Sequence, residues 1–241
     1  MKIRFLGTSY GAPAPGRHQQ SLLLETDGGS AYLVDAGAPV LDILAGEGSD
    51  FGKLKAIFIT HLHGDHMNGL PDILNLAAYF GIRCEVYLSE KRGIDAFETY
   101  CRMQTPGWNG DRTPFRLIRE GSFYDDGRLR VTSVQTAHMN APCYGFLLEA
   151  DGESVYVTGD LHPSLEDFPA FLDREPVGLL VTECAHFAPE VLLERVSRTK
   201  AKTCAVIHVM PPSRYTELEA CRKNLSVPVL LPEDGDIVAV G

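Results

Sequence analysis

At 241 residues, with 44% hydrophobic and 22% charged side chains, the chain is ordinary globular material that can bury a sizeable core. A formal net charge of −10 disfavours non-specific nucleic-acid binding, which needs clustered Lys and Arg against phosphates. Six cysteines without a Cys-x-x-Cys pair point to neither a disulfide framework nor a thiolate zinc site, and no run of about eighteen apolar residues offers a membrane span. The opening Met-Lys-Ile-Arg-Phe-Leu-Gly reads as a strand and not as a signal peptide, so the expected location is the cytoplasm.

Residues 2–6 alternate apolar and basic side chains, the period of a strand. Two more strands are expected near 20–25 and 31–35, turned through Asp27-Gly28-Gly29. The intervening loop Gly7-Thr8-Ser9-Tyr10-Gly11-Ala12-Pro13 leads to Arg17. Backbone N–H groups exposed by glycines suit an anion, so Arg17 is either a phosphate contact or an ordinary surface arginine. Asp35 closes a strand in Val34-Asp35-Ala36-Gly37 and, taken alone, reads as a cap for a helix over 39–45.

The apolar run Ala56-Ile57-Phe58-Ile59 then enters Thr60-His61-Leu62-His63-Gly64-Asp65-His66. His61 and His63 are two apart on extended chain, so their rings share one side and can share one ion. Gly64 permits a sharp turn, after which Asp65 and His66 point towards a second ion a few ångströms off. Four ligand-type side chains in six residues after a buried strand exceed what a solvated turn requires.

A core helix from Leu70 carries Ile73, Leu74, Ala77 and Ala78 on one face, accepts Pro71 in its opening turn and ends at Gly81. A strand over 85–88 and a helix over 90–103 precede a loop at 104–114, whose Trp108 is either a packing residue or part of a lid. Strands over 115–118 and 128–136 follow, the second delivering His138. A hairpin over 144–149 and 154–158, through Asp151-Gly152, ends in Thr158-Gly159-Asp160. The last third alternates: strand 178–182, helix 189–197, strand 203–208 ending on His208, helix 213–224, and strands 227–230 and 237–240. Both halves run hairpins first and strand-helix units after, which suggests two similar halves whose sheets stack inside helices.

The arrangement His-x-His-x-Asp-His resembles the signature of the metallo-β-lactamase superfamily. Gly-Thr-x-x-Gly-x-Pro with a following Arg resembles the opening of its ribonuclease Z branch, which includes smaller phosphodiesterases. The resemblance implies an α+β fold, the four-layer αββα sandwich, with residues 1–241 as a single domain and metals at the sheet edge. It implies that His61, His63 and His138 bind one ion, that Asp65, His66 and His208 bind a second, and that Asp160 bridges them. Asp35 is then the buried residue that hydrogen-bonds the metal loop. Such a nitrogen-rich set suits two Zn2+ ions, with Mn2+ or Fe possible. A carboxylate at Asp160 counts against the penicillin-cleaving relatives, which usually carry cysteine there, and His63 counts against the di-iron branch, which carries glutamate.

The implied reaction is hydrolysis by a hydroxide bridging two ions, oriented by Asp65. The favoured substrate is a small phosphodiester, either a cyclic nucleotide or a nucleotide-derived ester. Ribonuclease Z-like cleavage of RNA, lactone or thioester hydrolysis, and a non-enzymatic metal-stabilised binding protein are the alternatives. The branch's His-Glu-Ala-Thr segment appears only in part, as Thr182-Glu183-Cys184-Ala185-His186, and no basic, glycine-rich arm is present, which argues against transfer RNA processing. His186 is the candidate general acid, with Glu183 orienting its imidazole; its alternative is to cap the helix near Pro189. No membrane partner is expected, and the oligomeric state stays open, with a homodimer among the options.

Overall fold

The computed structural model describes residues 1–12, 14–138 and 140–241, so Pro13 of the opening loop lies outside the described residues. Two seven-stranded sheets carry the chain. The first contains β1 (Lys2–Gly7), β2 (Ser21–Glu25), β3 (Ala31–Val34), β4 (Leu54–Phe58), β5 (Glu85–Leu88) and β6 (Phe115–Leu117). The second contains β7 (Gly121–Asp125), β8 (Arg130–Thr136), β9 (Cys143–Ala150), β10 (Glu153–Val157), β11 (Val177–Cys184), β12 (Ala201–Val209) and β13 (Val229–Leu230). The last strand, β14 (Ile237–Ala239), returns to the first sheet and pairs with β1. In each sheet the early strands pair antiparallel and the later ones parallel, the change falling at β3–β4 and at β10–β11. The two halves are therefore built alike, as the order of hairpins and strand-helix units suggests.

Six helices accompany them among the described residues: α1 (Val40–Gly46), α2 (Gly64–Met67), α3 (Leu70–Phe80), α4 (Lys91–Gln104), α5 (Pro189–Ser197) and α6 (Arg214–Cys221). Strand side chains alternate faces, and the burial follows that period. Phe5, Leu22, Leu24 and Phe58 of one sheet meet Val131, Phe146, Leu148, Val157 and Val181 of the other in a shared core. On the opposite face of the first sheet, Leu23, Leu33, Ile57 and Val86 pack with Leu44 of α1, Leu74 of α3 and Ile94 of α4. Tyr156, Leu180 and Val206 do the same against Leu192, Leu193 and Leu218 of α5 and α6. Helices thus cover both outer faces and the architecture is the αββα sandwich, each buried Leu or Ile contributing about 1.5–3 kcal/mol. No helix among the described residues is long and apolar enough to cross a membrane. All six cysteines are unpaired.

Three local differences from the sequence expectation have physical causes. Residues 121–125, Gly-Ser-Phe-Tyr-Asp, lie between the expected strands yet form β7, because Tyr124 inserts its ring among Phe58 at 5.1 Å, Tyr87 at 5.6 Å and Tyr32 at 6.1 Å. The strand expected from 128 begins at Arg130, because the N–H groups of Arg128 and Leu129 are taken by Asp126 Oδ1, both at 2.9 Å. The last helix stops at Cys221 and tightens into a 3-10 turn over Arg222–Asn224. Trp108 occupies a packing position: its ring lies 5.9 Å from Phe115, and its indole N–H reaches Thr113 Oγ1 at 3.3 Å.

Asp126 also ties the two sheets together. Its Oδ2 accepts from Tyr32 Oη of β3 at 2.6 Å and from Tyr124 Oη of β7 at 3.1 Å. Burial opposes ionisation of this carboxylate, but the tyrosine hydroxyls and the two backbone N–H groups outweigh it and hold its pKa below the ordinary value. A depressed carboxylate pKa gives stability that is present above the unfolded value and lost as pH falls through the folded one. Tyr32→Phe is expected to lower stability by about 1–2 kcal/mol in urea unfolding at neutral pH, the loss shrinking in acid. An unchanged midpoint would show that Asp126 does not join the sheets.

Candidate metal centre

The cluster forms where strands from both sheets end together. After β4 the chain delivers His61 and His63, then turns at Gly64 into α2, which carries Asp65 and His66. The turn after β3 lies directly against this segment, and only glycine allows it: a Cβ at Gly37 would stand 2.4 Å from the Asp65 carbonyl oxygen. Asp35, in the same turn, is fully buried with φ of 59°. Its Oδ1 accepts from Thr60 N at 2.8 Å and Thr60 Oγ1 at 3.0 Å, and its Oδ2 from Gln20 Nε2 at 3.1 Å. His66 Nδ1 donates to the same Oδ2 at 2.7 Å, which turns His66 Nε2 into the cluster. The helix that Asp35 would otherwise cap has Pro39 at its N-cap and no side-chain cap bond.

The second sheet supplies the rest. His138 follows β8, Asp160 follows β10, and His208 lies in β12. At His208 the pairing slips: Glu183 opposes Ile207 but Cys184 opposes Val209. His208 is thus a bulge with φ of 52°, re-aimed off the ladder, and its N–H goes to Thr8 O at 2.8 Å. Thr8 is in turn held by Asp234 Oδ1, through its N at 2.9 Å and its Oγ1 at 2.7 Å.

Two groups of metal-ligating side chains result: His61, His63, His138 and Asp160 in one, and Asp65, His66 and His208 in the other, with donor atoms within 4.8 Å in each. Asp160 faces both. Its Oδ2 is 3.8 Å from His61 Nε2, 3.6 Å from His138 Nε2 and 3.5 Å from His208 Nε2, while its Oδ1 is 3.4 Å from His66 Nε2. Asp65 Oδ2 is 3.5 Å from His66 Nε2 and 3.7 Å from His208 Nε2. Most of these separations are too long for good hydrogen bonds yet converge on common points. His61 Nε2, His66 Nε2 and Asp160 Oδ1 are buried without any hydrogen-bond partner. Leaving a buried polar atom unpaired costs about 1–3 kcal/mol, so three together fit a site whose donors await a cation. Nitrogen-rich donors with two carboxylates suit zinc.

Beside this cluster, the structure brings Glu183 and His186 together. Glu183 is buried, and its carboxylate accepts from Ala185 N at 2.6 Å, His186 N at 3.2 Å, Leu161 N at 3.0 Å and His186 Nδ1 at 2.6 Å. Burial lowers the pKa of His186, but the Glu183 carboxylate more than reverses this and raises it above the ordinary imidazole value. The His186 ring sits 4.6 Å from that of His138, and no side-chain cap bond is made at the start of α5. Arg17 is placed differently from a free phosphate contact. Its guanidinium donates to Thr8 Oγ1 at 2.6 Å and Pro232 O at 2.7 Å, and it lies over the Tyr215 ring at 4.3 Å.

A cleft of about 480 Å³ opens on the His61, His63 and His138 side, with Glu90, Arg92 and Asn140 among its lining residues. The sequence reading missed Glu90 and Arg92, whose opposite charges pair at 2.6 Å, and missed Asp234. None of them belongs to a motif, and only the folded chain brings them near the histidines.

Known proteins place this arrangement in context. Ribonuclease BN of Cronobacter sakazakii is 34% identical over 152 residues, covering 62% of this chain and 49% of that protein. The chain thus spans about half the length of the curated relatives it matches. Among solved structures, the metallo-β-lactamase fold protein YhfI from Bacillus subtilis superposes with a TM-score of 0.80 at 20% identity, over 99% of both chains. The short form of human tRNase Z gives 0.75 at 21% identity, over 100% of both. Both likenesses concern the fold, which is that of the metallo-β-lactamases. Residues 1–192, which hold every ligand-type residue named above except His208, match the family described as Anti-Pycsar protein Apyc1, and the chain belongs to that family.

Proposed function

We propose that the protein is a metal-dependent hydrolase that cleaves a small phosphodiester, with a cyclic nucleotide or a nucleotide-derived ester as the substrate class. The observation that carries the metal part is the shared carboxylate of Asp160, faced on Oδ2 by His61 Nε2 and on Oδ1 by His66 Nε2, two buried nitrogens that make no hydrogen bond. In this reading His61, His63, His138 and Asp160 hold one divalent ion, and Asp65, His66, His208 and Asp160 hold a second. Zinc is the favoured metal, with Mn2+ or Fe as substitutes. Bound there, two divalent ions would supply a water acidified to near neutral pH and offset the charge that builds on phosphate.

The phosphodiester part is supported by the ribonuclease names of the relatives and the short form of tRNase Z among the similar folds. The small-substrate part rests on charge and shape: a chain of net charge −10 repels a long polyanion, while the cleft is of small-ligand size. Asp65, mostly buried beside the opening loop, is placed to accept a proton from the attacking water. His186 is assigned as general acid, protonating the departing alkoxide from Nε2 while Nδ1 stays on Glu183. Glu183, with its oxygens taken by Leu161, Ala185 and His186, positions other groups and does not touch substrate. Arg17, engaged by Thr8, Pro232 and Tyr215, braces the opening loop in place of binding phosphate.

Three outcomes test this reading. Purified protein is expected to hold about two divalent ions per chain, falling in Asp160→Ala and His208→Ala; elemental analysis with unchanged content in both variants would refute it. Bis-p-nitrophenyl phosphate and cyclic nucleotides should turn over faster than transfer RNA precursors, lactones, thioesters or lactams, and a reversed order in one kinetic panel would overturn the substrate class. His186→Ala should slow esters of alkyl alcohols by about 10²–10⁴ but p-nitrophenyl esters little, with metal content intact. Equal losses on both kinds of ester would remove His186 from the mechanism.

A further inference from the structure

We infer that Asp167 is a positioning residue that sets the spacing between His138 and Asp160, a role that rests on the metal reading above. His138 follows β8 and Asp160 follows β10, and these strands are not neighbours, because β9 runs between them. Adjacent strands lie about 4.8 Å apart, so the two strand ends are separated by about 10 Å with no ladder joining them. Yet His138 Nε2 and Asp160 Oδ2 come within 3.6 Å. The ladders of β9 reach only Thr136 of β8 and Val157 of β10, so the two exits lie beyond them.

One side chain spans the gap. Asp167 Oδ2 accepts from the N–H of Ala137, the residue before His138, at 2.7 Å. The same carboxylate accepts from the N–H of His162, two residues after Asp160, at 3.1 Å through Oδ1 and 3.0 Å through Oδ2. The intervening N–H, that of Leu161, goes to Glu183 Oε1 at 3.0 Å, so two consecutive donors after Asp160 are captured by carboxylates from different elements. Asp167 is anchored independently of the histidines in the two donor groups. Its loop is turned by Leu165 N to His162 O at 2.8 Å and Phe168 N to Leu165 O at 3.1 Å, and the side chains of Leu165 and Phe168 are buried in the core under α5 and α6. Since the bonds of Asp167 end on backbone, it pins the two exits while leaving every ligand atom free.

The test uses the full chain with Zn2+ and Co2+ alone as probes. Asp167→Ala removes both acceptors, Asp167→Asn keeps one acceptor oxygen, and Glu166→Ala, the exposed neighbour, is the control. In chelator competition Asp167→Ala should weaken ion binding by roughly 10- to 100-fold and alter the visible absorption of the cobalt-loaded protein, while the metal-free unfolding midpoint stays near that of the wild type. Asp167→Asn should fall between, and Glu166→Ala should match the wild type. If Asp167→Ala does not fold, Asp167→Asn carries the comparison. Wild-type affinity and cobalt absorption in the Asp167 variants would overturn the inference, as would affinity losses that merely follow lost metal-free stability. A wild-type chain that binds no cobalt would instead overturn the metal reading itself.

Discussion

The carboxylate of Asp160 is the constraint on which the site depends. It is buried between two groups of histidines, with Oδ2 facing His61, His138 and His208 and Oδ1 facing His66. Burial alone would push its proton on, but the surrounding imidazoles hold its pKa well below the carboxylate range. His66, between Asp35 and Asp160, is correspondingly driven well above the ordinary imidazole value in spite of its own burial. His61 goes the other way, lowered by burial and by charged His66. A proton on His66 thus satisfies only part of the cluster, whereas a divalent cation in each proposed group would answer both carboxylates and the orphaned Nε2 atoms of His61 and His66.

The fold meets this constraint by holding the loops through its own side chains. Carboxylates outside the two donor groups take up backbone N–H groups beside them: Asp35 holds Thr60, Glu183 holds Leu161, Asp167 holds Ala137 and His162, and Asp234 holds Thr8. Two of the residues involved, Asp35 and His208, occupy the left-handed region at φ of 59° and 52°, which costs about 1–3 kcal/mol each and persists only where the surroundings enforce it. The sheets supply that enforcement, because the alternation of Leu23, Leu33 and Ile57 with Leu22, Leu24 and Phe58 buries both faces and leaves the strand ends no freedom to drift.

Much of this is legible in the sequence. His61 through His66 announce themselves because four donors are packed into six residues, and His208 closes the apolar run Cys204-Ala205-Val206-Ile207, whereas His138 and Asp160 stand out only through the family resemblance. The layered fold is legible because the hairpins precede the strand-helix units in both halves. The rest depends on contacts between distant residues. β7 exists because Tyr124 finds Phe58 and Tyr87 across the core, and no local pattern in Gly-Ser-Phe-Tyr-Asp reports that. Arg17 reads as a free cation until Pro232 and Tyr215, over two hundred residues away in the first case, come to meet it. Asp167 and Asp234 sit in polar loops that look like solvated turns.

The proposed chemistry requires that two ions share Asp160. Crystals of the zinc-loaded protein, measured on both sides of the zinc absorption edge, test that directly by anomalous difference density. Two peaks are expected, one among His61, His63 and His138 and the other among Asp65, His66 and His208, with the Asp160 carboxylate between them. A single peak, or none at the Asp160 carboxylate, would contradict it.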